Sequence, residues 1–237
     1  MIQPVLFTIY DYFYLMKNLF VPFLDQYAVN DSMETVSTLL DALPKNQIAH
    51  QPWPEFYTPI QANFTIAHSN DAIWLKYEVH EDTIKVATSE LNGVVHKDNC
   101  VEFFVSFGTD KSYYNIEVNC VGICLIAYGK ERSNRDFLPK ELVKMIKTHA
   151  VIKTAAENSK RKYVWEITLM IPIVVFGYSN LKTLSQQTGF GNFFKCGDDL
   201  PQPHFCSWNE IEAEAPNFHL PEFFGSLAFG EAADLKI

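Results

Sequence analysis

Asp98-Asn99-Cys100-Val101-Glu102-Phe103-Phe104-Val105-Ser106-Phe107 runs through Gly108-Thr109-Asp110-Lys111-Ser112 into Tyr113-Tyr114-Asn115-Ile116-Glu117-Val118-Asn119-Cys120. Both flanking runs alternate with period two. Val101, Phe103 and Val105 fall on one face of the first, and Glu102, Phe104 and Ser106 on the other. Tyr114, Ile116 and Val118 alternate with Tyr113, Asn115 and Glu117 in the second. Two such runs separated by Gly108, Asp110 and Ser112 predict a long β-hairpin. A one-residue slip would turn every side chain to the wrong face, so burial selects the register that pairs Ser106 with Tyr113. Glu102 then opposes Glu117, and Phe104 opposes Asn115. Directly opposed Cβ atoms lie about 4.5–5.5 Å apart, where like charges repel. Such a pair calls for a cation, a donor-rich ligand or a shared proton.

Outward from the hairpin, strands are expected over Lys17–Leu24, Ala62–Ala67, Ala72–Val79, Val121–Tyr128, Tyr163–Ile171 and Gly189–Lys195, with a last one in the tail. Asp31-Ser32-Met33-Glu34 reads as a helix start with Asp31 as its N-cap acid. Met33, Val36, Leu39, Leu40 and Leu43 follow at helical spacing. Residues 129 to 162 are the most polar stretch, read as a surface excursion with solvated charges and a short helix over 139–148. About nine strands and two short helices without a βαβ rhythm predict an all-β antiparallel β-sandwich. One domain over 17–237 fits the length. Residues 1–16 are expected to be a leader or an extended start, with a hydrophobic strand as the alternative reading. They lack a basic flank and a small-residue cleavage site, which makes a poor signal peptide, and Asp11 breaks them as a membrane span.

The net charge of −9 with scattered acids disfavours nucleic-acid and anionic-membrane partners. Five cysteines include no pair at zinc-ligand spacing. Cys120 and Cys124 would lie about 13 Å apart along a strand, too far for a disulfide. Reduced, buried thiols and a cytoplasmic location are the expectation. G-x-S-x-G, P-loop, G-x-G-x-x-G and H-E-x-x-H motifs are all missing. His204 and His219, in aromatic and proline-rich loops, are expected to be packed or hydrogen-bonded. Two groupings remain: the polar hairpin face with Glu102, Asn115, Glu117 and Asn119, and a C-terminal block. That block runs from Gly191 to Asp199 and adds Pro203-His204-Phe205, Ser207-Trp208-Asn209 and Asn217-Phe218-His219. Rings beside carboxylates and amides suit neutral sugars, which offer C–H faces to stack and hydroxyls to hydrogen-bond.

Four blocks in order, Asp98–Phe104, Tyr113–Asn119 with Gly122, Trp165-Glu166-Ile167 through Ile171-Pro172, and Gly191–Asp198 through Pro221-Glu222-Phe223-Phe224-Gly225, resemble family 9 carbohydrate-binding modules. The likeness is closest to the stand-alone branch typical of gut Bacteroides-type bacteria and covers roughly residues 17 to 230. It implies a DOMON-like β-sandwich, binding of polysaccharide chain ends between two rings, association with glycoside hydrolysis, and a structural calcium ion with no other cofactor. Glu102 matches the family's acidic residue, and Asn115 and Glu117 match its next polar positions. The family's first stacking Trp is replaced by Val94-Val95-His96-Lys97, and the second by Asn217-Phe218-His219. His96, His219 and the nearby Trp208 are therefore the candidates to line the sugar site. Asp198 and Asp199 are the candidate calcium ligands. The competing readings are a glycoside hydrolase using Glu102 and Glu117, and a scaffold whose sugar site has decayed.

Overall fold

The hairpin forms in the register that burial selects. Cys100–Ser106 (β5) and Tyr113–Asn119 (β6) pair antiparallel, with Glu102 opposite Glu117 and Phe104 opposite Asn115. The structure is a computed structural model describing residues 16–24, 32–108, 111–157 and 160–231. Asp110 and the expected N-cap Asp31 lie outside the described residues, as does nearly all of the expected leader.

Before the hairpin come β1 (Asn18–Val21), α1 (Met33–Leu40), β2 (Asn46–Gln47), β3 (Gln61–His68) and β4 (Ala72–Glu81). After it come β7 (Cys124–Gly129), β8 (Asp136–Phe137), α2 (Lys140–Val143), β9 (Lys147–Glu157) and β10 (Lys160–Pro172). The chain then adds β11 (Thr188–Cys196), β12 (Phe205–Ser207) and β13 (Gly225–Phe229). One sheet has the order β1-β13-β11-β5-β6-β7-β8, and the other β2-β3-β4-β10-β9. β11 changes partner along its length: Thr188–Gly191 pairs with β13, and Phe194–Cys196 with β12. All strand pairs are antiparallel except β1 with β13.

The sheets pack face to face through their apolar sides. Val101, Phe103, Val105, Ile116 and Val118 meet Phe64, Leu75, Tyr77, Trp165 and Ile167 in one core. Phe193 lies stacked between Phe64 and Phe103, with ring centroids 3.6 and 4.7 Å away. Each such side chain contributes roughly 1.5–3 kcal/mol on burial. α1 covers the far side of the second sheet, where Val36 and Leu40 pack on Trp74 and Met170. Its N-cap is Ser32, whose Oγ accepts from the Thr35 N–H at 3.1 Å.

Two expectations need correction. The structure has thirteen strands among its described residues, because β2, β8, β9 and β12 add to the nine expected. The polar stretch 129–162 is not one surface excursion. Its helix is short, and from Lys147 the chain enters an eleven-residue strand that pairs with β10 along its length. β9 is a sheet edge and carries polar side chains, so the hydrophobic alternation that betrays a half-buried strand is absent.

Candidate functional site

The Cys120 N–H donates to the Asn99 C=O at 2.9 Å, which sets the phase of the hairpin ladder. Cys100–Asn119 and, two residues on, Glu102–Glu117 are therefore non-hydrogen-bonded pairs, the kind that bring side chains closer. On the outer face of the first sheet the registers line up Phe194, Glu102, Glu117 and Leu125 in one row. The next row is Asn192, Phe104, Asn115, Ala127 and Phe137. Loops cover much of this face. Phe218 stacks flat on Phe194 with centroids 4.2 Å apart, and His219 lies on Phe104 at 4.8 Å. Trp53 braces them from behind, its indole N–H donating to the Ala213 C=O.

A trough of about 410 Å³ remains between these loops and the sheet. Glu102, Asn115 and Glu117 form its floor, and His96 and Asp198 also line it. Phe205, Phe218 and His219 line it from the β12 side, and Arg132, Arg135 and Phe137 from the β8 side. Arg132 Nη1 reaches across to the Pro216 C=O at 3.4 Å.

The floor is tightly wired. Asn115 Nδ2 donates to Glu117 Oε1 at 2.9 Å, and Arg135 Nε donates to Asn115 Oδ1 at 2.8 Å. Arg135 also donates to the Tyr113 C=O, and its guanidinium lies over the Tyr113 ring at 4.2 Å. The Asn115 amide is thereby held in one orientation. The Cys196 thiol sits 3.1 Å from Glu102 Oε1 as a donor. Burial, then the neighbouring Glu117, pushes the Glu102 carboxyl well above its ordinary range, which favours its neutral form. His96 Nδ1 lies 3.5 Å from Glu117 Oε2 and its pKa is raised by that carboxylate. Glu117 Oε2 is buried and makes no hydrogen bond. Burial also raises Asp198. His219, whose Nδ1 meets the Tyr113 hydroxyl at 2.9 Å, is lowered to about 3 by burial and the nearby arginines.

His96, Glu102, Asn115, Glu117 and His219 thus converge on one trough. Asn119 and Trp208 do not reach it. Asn119 lies under the loop before the hairpin, where its amide N–H groups donate to Asp98 Oδ2 and the Thr88 C=O. Asp98 in turn accepts from the Ala87 and Thr88 N–H groups, so this network fixes the loop that carries His96. Trp208 follows the parity of β12: Phe205 and Ser207 face outward, while Cys206 and Trp208 face the core, where Trp208 packs edge-on against Phe64 and Phe193. Asp198 and Asp199 do not form a ligand pair. Asp199 points to solvent beside Lys85 and Lys97, at 3.7 and 3.5 Å. His204 is buried in the core against Lys195, and all five cysteines are free and buried. Arg132, Arg135 and Phe137 were hidden in the polar stretch. The one signal there was Phe137-Leu138, an apolar pair amid charges.

The trough differs from a clamp of two facing rings. Phe205 and Phe137 stand on β12 and β8, five strands apart in the sheet order. At about 4.8 Å per strand that is roughly 24 Å of sheet.

Fold and trough together define a β-sandwich of the binding-module type. The chain belongs to Carbohydrate-binding family 9, whose model matches residues 34–229. It is similar over 90% of its length to 99% of a "putative carbohydrate-binding protein" from Bacteroides uniformis, with 36% identity and a TM-score of 0.83. Two structures of a family 9 carbohydrate-binding module from Caldicellulosiruptor kristjanssonii share the fold at far lower identity. The complex with glucose is 12% identical, with a TM-score of 0.58 and coverage of 93% of this chain and 100% of that one. The complex with cellotriose is 13% identical, with a TM-score of 0.55 and coverage of 93% and 97%. No curated protein matches the sequence. Among the described residues no helix is long and apolar enough to cross a membrane.

Proposed function

We propose that the trough holds a neutral oligosaccharide, with Glu102, Asn115 and Glu117 hydrogen-bonding its hydroxyls and Phe137 and Phe205 offering apolar faces to its rings. The observation that carries this reading is the acid-and-amide floor, where Glu117 Oε2 is buried, makes no close hydrogen bond and has His96 Nδ1 at 3.5 Å. A sugar hydroxyl donating to that oxygen would add a hydrogen bond worth about 1.5–3 kcal/mol to a charged acceptor. The trough volume lies within the usual range for small-ligand sites. The structures solved with glucose and cellotriose make β-linked glucans the first ligands to try, and a place in polysaccharide breakdown belongs to the same proposal. The open trough speaks against a decayed scaffold, whose polar face would be filled by its own side chains.

Isothermal titration against glucose, cello-oligosaccharides and xylo-oligosaccharides tests the proposal. Binding is expected, and Glu117→Gln and Asn115→Ala are each expected to weaken it about tenfold, or ~1.4 kcal/mol. Flat traces across the panel would overturn it. A second reading, hydrolysis of an O-glycosyl bond, draws on a neutral Glu102 beside Glu117, the acid-and-carboxylate pairing of glycosidases. Release of phenol from aryl glycosides by the wild type, lost in Glu102→Gln, is the result that would favour it.

A further inference from the structure

We propose that Cys100, Cys196 and Glu102 form a binding site for a thiophilic divalent ion, of which Zn²⁺ is the type, beneath the floor of the trough. Cys100 and Cys196 are direct partners across β5 and β11, and Glu102 follows Cys100 by two residues on the same face. One ligand atom from each lies within 4.8 Å of the other two, and all three residues are buried. Among the described residues this is the one group of three or more such ligands brought together in this way. A tetrahedral ion with bonds of about 2.0–2.3 Å needs ligand atoms roughly 3.5–4 Å apart. Cys196 Sγ and Glu102 Oε1, now in hydrogen-bond contact at 3.1 Å, need to part by only a few tenths of an ångström to reach that spacing. Two sulfurs and one oxygen select zinc-like ions over calcium or magnesium, which prefer oxygen alone.

The site also has an entrance and an open position. Glu102 and Cys196 both line the trough, so an ion can arrive through it and keep its fourth position facing it, for water or another oxygen. On binding, each S–H bond gives way to a metal–sulfur bond and its proton passes to solvent, as does the Glu102 proton. Because thiol protons are displaced, binding is expected to tighten as pH rises.

The test is titration of the full chain, kept reduced, with Co²⁺ and then Zn²⁺. A thiolate-to-cobalt charge-transfer band is expected that saturates at one ion per chain and is abolished by Zn²⁺. Cys100→Ser and Cys196→Ser should remove it, Glu102→Gln should weaken it at least tenfold, and Cys206→Ser, whose side chain faces the core, should keep it. A wild-type titration without the band overturns the proposal and requires no variant to fold. So does a band that survives in both Cys100→Ser and Cys196→Ser. The proposal does not rest on sugar binding, since the absorbance read-out needs no sugar.

Discussion

His96 and Glu117 meet at the end of the trough, 3.5 Å apart, and Glu117 raises the His96 pKa above its ordinary 6.5 against the opposing effect of desolvation. A histidine whose pKa is higher in the folded protein stabilises it most below its unfolded value of about 6.5 and loses that contribution as pH rises through the folded value. The side chain is about one-third exposed, so solvent screens the pair and its worth is small. In an NMR pH titration the His96 ring is expected to titrate above 6.5 and to move down in Glu117→Gln. A wild-type midpoint at or below 6.5 would show that the pair does not form. His219 illustrates the opposite environment. It shares the trough, but burial and two arginines keep it neutral, so its ring serves as a packing face and a partner for the Tyr113 hydroxyl.

At the scale of the element, the hairpin was legible because one face had to be buried, and only one register buries Val101, Phe103, Val105, Ile116 and Val118 together. That register alone placed Glu102 beside Glu117. The wall beyond β7 was not legible. Arg132, Arg135 and Phe137 lie in a stretch whose charges look solvated in sequence, and only the pairing of β8 with β7 brings them back over Asn115. Trp208 was placed wrongly for a related reason: β12 is three residues long, too short for its parity to show. The break before β7 is Gly122, with φ of +90°, where an added Cβ would sit 2.6 Å from Thr148 Oγ1. Gly122→Ala is therefore expected to destabilise the protein by about 1–3 kcal/mol, read as a lower denaturation midpoint in urea at an unchanged m-value. A midpoint equal to the wild type would show that the turn relaxes without cost.

At the scale of the whole molecule, one polar group ties the sheets together through the core. Lys195 Nζ, from β11, lies 3.2 Å from Glu81 Oε2 of β4 and 2.8 Å from His204 Nε2, and Trp165 Nε1 donates to the other Glu81 oxygen. Lys195 is 0% exposed. Removing one partner of a buried pair strands the other, so Lys195→Met is expected to cost about 3–5 kcal/mol in chemical denaturation; a loss below ~1 kcal/mol would mean that Glu81 is readily reached by water. His204 is held to about 3, by burial first and Lys195 second. The unfolded chain takes up that proton near pH 6.5, so stability is full above that value and falls as pH drops toward 3, by up to about 1.4 kcal/mol per unit. Thermal scans between pH 7 and 4 are expected to show this decline, and His204→Gln is expected to flatten it.

β11 has a double allegiance. Cys196 looks into the trough, Phe194 lies on the same face under Phe218, and Lys195 between them looks toward Glu81 and the opposite sheet. Three consecutive peptide units thus serve recognition on one side and cohesion on the other. A molecule that settles onto the strand from outside rests on the same backbone that the cross-brace holds within, so damage deep in the interior is expected to be felt at the mouth.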